Sequence, residues 1–477
     1  MSRPVSAILT LALALVAAAP ARAQPSAPEA LPRTPGATES PVAPSVRAMS
    51  LGEALAYARV HQPAVLVGIA RVAAAKEAAN VPRAQWQPLV EVNAQLLGAT
   101  ANNTTASYVT PSYMDIPRIG GTRATSSGTW QPYASTFVGA GIVQEGFDFG
   151  RIAAQTAAAD ALVDVQRQGS ANALLDVTYG VEEAYFATYA AKAILKASED
   201  AYARAKVHRD LAKSGVDAGM RSPIELTRAE ADLARFDAGR IKARGGVETA
   251  QAVYAAAVGV TDAALDVTGT TNGPLDLPAL NDAIAQASGR DPRIRAAIAQ
   301  LRMQENQTRA VRAQARPDLS LTGTISGRAG GAAPSSGIAA NQDGWLPNVP
   351  NWDVGVVFSW PLFDPIVNAR AEASHVAEQV HREELNQVRF DEVAAIRQAY
   401  IAASVAREAL PALQQSLDAA RANYAQADAR FRAGLGTAVE LADAEAVLAD
   451  AEINLALGVF EVARTRAVFG RRIAEAV

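Results

Sequence analysis

Stretches of period-two and period-3.6 patterning follow one another along this chain in the same order twice. In "PDLSLTGTIS" (317–326) Leu319, Leu321 and Ile325 alternate with Ser320, Thr322, Thr324 and Ser326. In "PLVEVNAQL" (88–96) Val90, Val92, Ala94 and Leu96 oppose Glu91, Asn93 and Gln95. This period of two predicts strands with one apolar and one wet face. A further strand is expected where Trp352, Val354, Val356, Phe358 and Trp360 share a face, and a blurrier one over "YASTFVGAGIVQ" from Tyr133. From Phe149 to about Lys213, and from Ile366 to about Arg432, no convincing breaker interrupts a helical pattern. Roughly 65 residues at 1.5 Å each give helices of about 100 Å, far longer than a globular domain requires. Pro411 is expected to kink the second, because proline lacks an N–H and crowds the preceding turn.

The order repeats because the sequence does. Leu51, Ala54, Ala58, Pro63, Arg83, Gln85 and Pro88 recur at one offset as Leu280, Ala283, Ala287, Pro292, Arg312, Gln314 and Pro317, so each half opens with a helix running up to a proline. Gly139 aligns with Gly355, and Phe147-Asp148 with Phe363-Asp364. "AGMRSPIELTRAEADL" (218–233) aligns with "AGLGTAVELADAEAVL" (433–448), each reading as a glycine-punctuated turn between two helices. Each half is thus helix, strand, loop, strand, long helix, turn, long helix. The halves span 49–260 and 280–477, and the linker 261–279 is expected to form part of a belt. Beyond the second turn Leu441, Leu448, Leu455, Val462 and Phe469 recur every seventh residue, shadowed by Ala444, Ala451, Gly458 and Thr465. That is a coiled-coil seam with a small second row. In the first half Leu226, Leu233, Val247 and Tyr254 keep the row, interrupted by Arg240.

Composition narrows the chemistry. Alanine dominates, aromatics are few, the formal net charge is -4 and cysteine is absent, which closes disulfide, thiolate-metal and cysteine-nucleophile readings. The four histidines have no metal-pair spacing, and no metal or cofactor is expected. "GAGIVQ" lacks the third glycine of a dinucleotide loop, no nucleophile-elbow or phosphate-loop string occurs, and no catalytic residue is assigned. Without a basic patch, nucleic acid is not an expected partner. At the N-terminus Arg3, the apolar stretch Ala7–Ala19 and Ala21-Arg22-Ala23 form an export signal (1–23) cleaved after Ala23, with no cysteine there to carry a lipid. The Pro- and Ala-rich segment 24–48 reads as a disordered leader. No later run is long and apolar enough for a membrane-spanning helix.

Strands of about nine to twelve residues match a tilted bilayer crossing. Four cannot seal a barrel, and open edges are not tolerated in hydrocarbon, so the wall must be shared between chains. Trp86, Tyr133, Trp352 and Trp360, near strand ends, suit interfacial aromatic belts. The rival is a soluble periplasmic coiled-coil scaffold or adaptor, which would leave the Trp352–Trp360 face in water.

The doubled layout, the "PLFD" junction at 361–364 and the two matched turns resemble the outer-membrane efflux protein family over essentially the whole chain from Met49. The resemblance implies a mostly α fold with a small β part. By the same resemblance, long antiparallel coiled-coil helices would form an α-barrel in the periplasm, and four strands per chain would enter a shared twelve-stranded β-barrel of a homotrimer in outer-membrane lipid. It further implies export of drugs, small toxic compounds or proteins, driven by an inner-membrane transporter through a periplasmic adaptor. Gating would sit at the periplasmic mouth. There Glu440 and Asp443, one helical turn apart, would ring the aperture, with Glu225 as the first-half equivalent of Glu440 and Arg221 or Arg228 as its gating partners. A Glu and an Asp at a helix start also suit the helix dipole without any further role. Gly219, Gly434 and Gly436 would mark adaptor-contact turns, and Gly436 stands where relatives often carry a basic residue.

Overall fold

The computed structural model describes residues 47–99, 133–261, 264–269, 277–330 and 349–475. The export signal, nearly all of the leader and both inter-strand loops lie outside these residues. The chain runs β1 (Arg47–Met49), α1 (Leu51–His61), α2 (Pro63–Ala78), α3 (Asn80–Ala84), β2 (Leu89–Ala99), β3 (Tyr133–Phe147), α4 (Arg151–Asp217) and α5 (Pro223–Val258). The second half follows with β4 (Leu265–Val267), α6 (Leu280–Arg290), α7 (Pro292–Ala313), β5 (Asp318–Gly330), β6 (Val349–Ser359), α8 (Pro365–Arg432) and α9 (Ala438–Arg472). Arg47 and Ala48, assigned above to the leader, instead pair in parallel with Leu265 and Asp266 as β1 beside β4.

The opening helix of each half is broken where the aligned prolines sit. Pro63 and Pro292 lack an N–H and force the preceding residue out of the helical region, so Gln62 and Asp291 are extended (ψ 122° and 120°). Each then caps the next helix, Gln62 Oε1 accepting from Ala64 N at 2.7 Å and Asp291 Oδ1 from Arg293 N at 2.7 Å. The strand-to-helix junctions use the aligned Phe-Asp pairs. Asp148 accepts from Gly150 N and Ile152 N, and Asp364 from Ile366 N and Val367 N, so one carboxylate satisfies two orphan donors at the head of each long helix. Helices α4 and α8 run for 67 and 68 residues, about 100 Å each, and α8 continues through Pro411 without a break.

The strands form one antiparallel sheet ordered β2-β3-β5-β6. Register places Val92, Ala140, Ile325 and Trp352 on one face and Glu91, Gly141, Thr324 and Asp353 on the other. The alternation read from the sequence therefore becomes one mainly apolar face and one mainly polar face. Among the described residues both outer edges, of β2 and β6, are unpaired, and Val354 on the apolar face is 80% exposed.

The helices bury a chain of small clusters. Met49, Leu55, Tyr185, Tyr254, Leu265 and Val267 gather where β1 and β4 meet α1, α4 and α5. Leu417, Ala420, Leu448 and Ala451 form part of the seam between α8 and α9, as the seven-residue spacing predicts. Close approach is needed at Gly68 of α2, where an added Cβ would lie 3.2 Å from Ser170 Cα and 3.3 Å from its Cβ in α4. Gly68→Val should therefore lower stability by about 1–3 kcal/mol by overpacking this crossing, measured as a fall in thermal unfolding temperature in detergent.

Candidate functional site

At the end of the molecule far from the sheet, two hairpin turns are built alike. In the first, Met220 N donates to Gly215 O at 2.8 Å and Gly219 N to Val216 O at 2.9 Å; in the second, Leu435 N donates to Arg430 O at 2.9 Å and Gly434 N to Phe431 O at 3.1 Å. Both are Schellman terminations, and both need a left-handed residue, supplied by Gly219 (φ +71°) and Gly434 (φ +74°). Met220 and Leu435 follow these glycines and stand exposed at the tips.

The equivalent glutamates beyond the turns do different work. Glu440 closes a capping box with Thr437: its N–H donates to Thr437 Oγ1 at 3.2 Å, and its carboxylate accepts from Thr437 N at 3.4 Å. Ser222, at the matching position, makes no side-chain cap. Glu225 instead accepts from Arg221 Nη1 at 3.1 Å, and Arg221 reaches on to α8, where Nη2 donates to Phe431 O at 3.2 Å and the guanidinium lies 3.9 Å from the Phe431 ring centroid. Gly436 is the counterpart of Arg221 and has no side chain to offer Glu440, which leaves that carboxylate for the cap. Arg228 lines the cleft below with Glu225 and Asp232 but makes no hydrogen bond or ion pair among the described residues. Glu440 and Asp443 are both exposed, one turn apart on α9.

Deeper between the helices lies a cluster not singled out from the sequence. Arg204 of α4 donates from Nε to Glu445 Oε1 at 2.6 Å and from Nη2 to Glu452 Oε2 at 3.3 Å, both on α9. His208 Nδ1 stands 3.4 Å from Glu445 Oε2, its Nε2 lies 3.1 Å from the Tyr424 hydroxyl and 3.8 Å from Asp428. Glu445 is 1% exposed and its Oε2 makes no hydrogen bond. Burial raises the Glu445 carboxyl above its usual range despite Arg204, and burial lowers His208 against the pull of Asp428. Burial, then Glu445 and Asp428, push the Tyr424 hydroxyl up to about 12. Glu445 and Glu452 are seven residues apart beside the Leu441–Leu448–Leu455 seam, in the flanking row where coiled coils place interhelical ion pairs. That spacing was the available signal.

At the sheet, Trp86 and Trp360 lie at the helix-side end and Trp352 toward the opposite end, about 27 Å along the strand from Trp360. This is comparable to the roughly 25 Å apolar band of a membrane barrel. Tyr133 begins β3, but its side chain lies outside the described residues. Among the described residues no helix is long and apolar enough to cross a membrane.

The sequence matches the outer membrane efflux protein family over residues 54–260 and 283–466. The chain belongs to that family. One matched segment lies in each half of the chain, and what they establish is an outer-membrane exit duct extending into the periplasm. The fold is similar to that of the outer-membrane channel OprN, with 22% identity and a TM-score of 0.70 over 89% of this chain and 90% of that one. It is also similar to the Campylobacter jejuni CmeC outer membrane channel (15%, 0.72, 89% and 85%) and to the open state of the Neisseria gonorrhoeae MtrE outer membrane channel (18%, 0.69, 89% and 88%). At these identities the likeness is one of fold. A comparison with curated proteins finds no match.

The buried cluster generates a test of how α4 is held to α9. Arg204→Ala should cost about 3–5 kcal/mol, because it leaves Glu445 buried without its cation. Combining Arg204→Met with Glu445→Leu should recover most of that loss. Thermal unfolding in detergent reads both, and a single variant no worse than an exposed ion-pair deletion would contradict the account.

Proposed function

We propose that this chain assembles as a homotrimer whose sheets close one barrel and whose helices form a periplasmic tunnel, receiving substrates from an inner-membrane transporter through a periplasmic adaptor. The observation that carries this reading is the pairing of a four-stranded sheet, apolar on its outer face and open at both edges, with helices of about 100 Å. Such a sheet is unsatisfied in lipid when alone and satisfied when its edges meet other copies. The exposed apolar Met220 and Leu435 beside Gly219 and Gly434 support adaptor contact at the hairpin tips.

The mouth is gated in this reading by two sets of groups. Glu440 and Asp443 from three chains form a negative constriction that attracts cations and repels itself. The dipole reading of Glu440 keeps its place beside this one, since the capping box occupies one carboxylate oxygen and leaves the other free. Arg221 closes the mouth by tying the start of α5 and Glu225 to the end of α8 at Phe431. Glu225 thus acts through Arg221, and Arg228, which bridges nothing among the described residues, has no part in the closed state.

In planar bilayer recordings, Glu440→Ala with Asp443→Ala should raise the half-blocking concentration of a trivalent cation at least about tenfold, equivalent to ~1.4 kcal/mol of lost attraction. Unchanged block would remove these carboxylates from the constriction.

A further inference from the structure

Where the helices meet the sheet, the two halves of the repeat differ in charge. Arg309, Arg312 and Arg316 follow one another at helical spacing along the end of α7 and the turn beyond it, and all three are exposed. Their counterparts at the offset of the repeat are Asn80, Arg83 and Gln87, so two of the three charges have no equivalent in the first half. The shared charge is treated differently in each. Arg83 donates from Nη2 to Asp160 Oδ1 at 2.6 Å and is neutralised there, whereas the Arg312 side chain makes no hydrogen bond or ion pair among the described residues. Arg316 Nη1 donates to the Phe149 carbonyl at 3.0 Å and Arg309 Nη1 to Asn306 Oδ1 at 3.2 Å, both neutral acceptors. Among the described residues no ion pair joins Glu305, one turn earlier on α7, to any of the three, and Asp318 begins β5 on the polar face of the sheet. The three positive charges are therefore unbalanced.

These arginines stand across a groove of about 440 Å³ from the start of α4, where Phe149, Ala153 and Ala157 form the other wall, and no carboxylate is among the described residues that line it. One side of the groove is basic and the other apolar. The aromatic ring at its head shows which way it opens. Phe149 stands edge-on to Phe147 with ring centroids 4.7 Å apart, and Phe147 pairs with Leu319, which shares the apolar face of the sheet with Leu321 and Ile325. Phe147, Phe149 and Leu321 are all exposed, so an apolar strip leads from the groove onto that face. Because β3 and β5 are the two inner strands, the groove lies below the middle of the sheet and away from its unpaired edges.

We propose that this groove binds the phosphate headgroup of an anionic phospholipid from the periplasmic leaflet of the outer membrane. The inference rests on the sheet crossing that membrane with the helices on the periplasmic side, which puts the groove at the level where the apolar band ends. Seven residues separate Arg309 from Arg316, a rise of about 10 Å along the helix, comparable to the roughly 5–8 Å depth of a headgroup layer. Guanidinium forks match phosphate oxygens with paired donors, and Arg312 has every donor free to do so. A soluble anion would need the arginines alone. The apolar strip over Phe149, Phe147 and Leu321 gives acyl chains a path from the same phosphate into the bilayer, and that continuity selects a lipid. A zwitterionic headgroup brings its own ammonium, which three unbalanced guanidinium groups repel, so the site prefers a lipid with net negative charge.

Native mass spectrometry of the full-length protein, delipidated in mild detergent and titrated with phosphatidylglycerol or phosphatidylcholine, counts the lipids retained. Phosphatidylglycerol should bind at least about tenfold more tightly than phosphatidylcholine. Arg312→Gln is the decisive variant, because that side chain holds nothing in the protein and its loss leaves the fold alone. It should weaken phosphatidylglycerol about fivefold, the effect of one surface charge, and leave phosphatidylcholine unchanged. Adding Arg309→Gln should bring the two lipids level, while Arg83→Gln, whose arginine is already neutralised, should bind as the wild type does. Equal retention of both lipids by the wild type, or wild-type binding of phosphatidylglycerol by the double variant, overturns the site. A loss in Arg83→Gln as large as in Arg312→Gln overturns its location. Displacement of phosphatidylglycerol by millimolar inorganic phosphate overturns a lipid as occupant, and stronger binding of lipopolysaccharide overturns the periplasmic leaflet as its source. A wild-type chain that stays in solution without detergent would instead overturn the membrane-crossing sheet itself.

Discussion

Backbone groups at the edge of a sheet cannot be left unpaired in hydrocarbon, and that single restriction orders the rest of this protein. β6 has 11 residues, about half of whose N–H and C=O groups point away from β5. At several kcal/mol each, the unmet hydrogen bonds on one edge amount to tens of kcal/mol. A folded domain has about 5–15 kcal/mol of net stability to offset them. A sheet of this length with an apolar outer face therefore has to continue into another copy. The α-helical part inherits the consequence, since each long helix leaves the sheet through a capping aspartate and must follow the curvature of the shared wall.

Duplication supplies the economy of the design and also its asymmetry. The two halves repeat their caps, their proline breaks and their Schellman turns, yet equivalent positions have diverged where the halves meet unlike neighbours. Glu440 is held in a capping box while Glu225 is held by Arg221, because Gly436 replaces that arginine in the second turn. Arg204 and His208 reach Glu445 on α9, but the counterparts of the first two in α8 are Ala419 and Asn423, which carry no positive charge. The ion cluster thus belongs to the seam inside the chain.

Much of this was legible in the sequence, and the residues explain which parts were not. The strand alternation, the length of the long helices and both glycine turns follow from local periodicity and from the need for a left-handed residue. The breaks at Pro63 and Pro292 were written in the sequence as well, since proline disfavours a helical conformation at the residue before it. The pairing of β1 with β4 joins segments far apart in the chain and has no local signature. The Arg204 cluster is similarly non-local: Glu445 and Glu452 could be placed beside a seam, while the partner cation comes from another helix entirely. Between Arg221 and Arg228 only geometry decides, because both are within one or two turns of Glu225 and only Arg221 also reaches Phe431.

The central claim, that the sheet is completed by other copies of the chain, is tested most directly by native mass spectrometry of the protein extracted from outer membranes in mild detergent. A complex of three identical chains that separates into monomers on heating is the expected result. A monodisperse single chain that stays in solution without detergent would contradict the account.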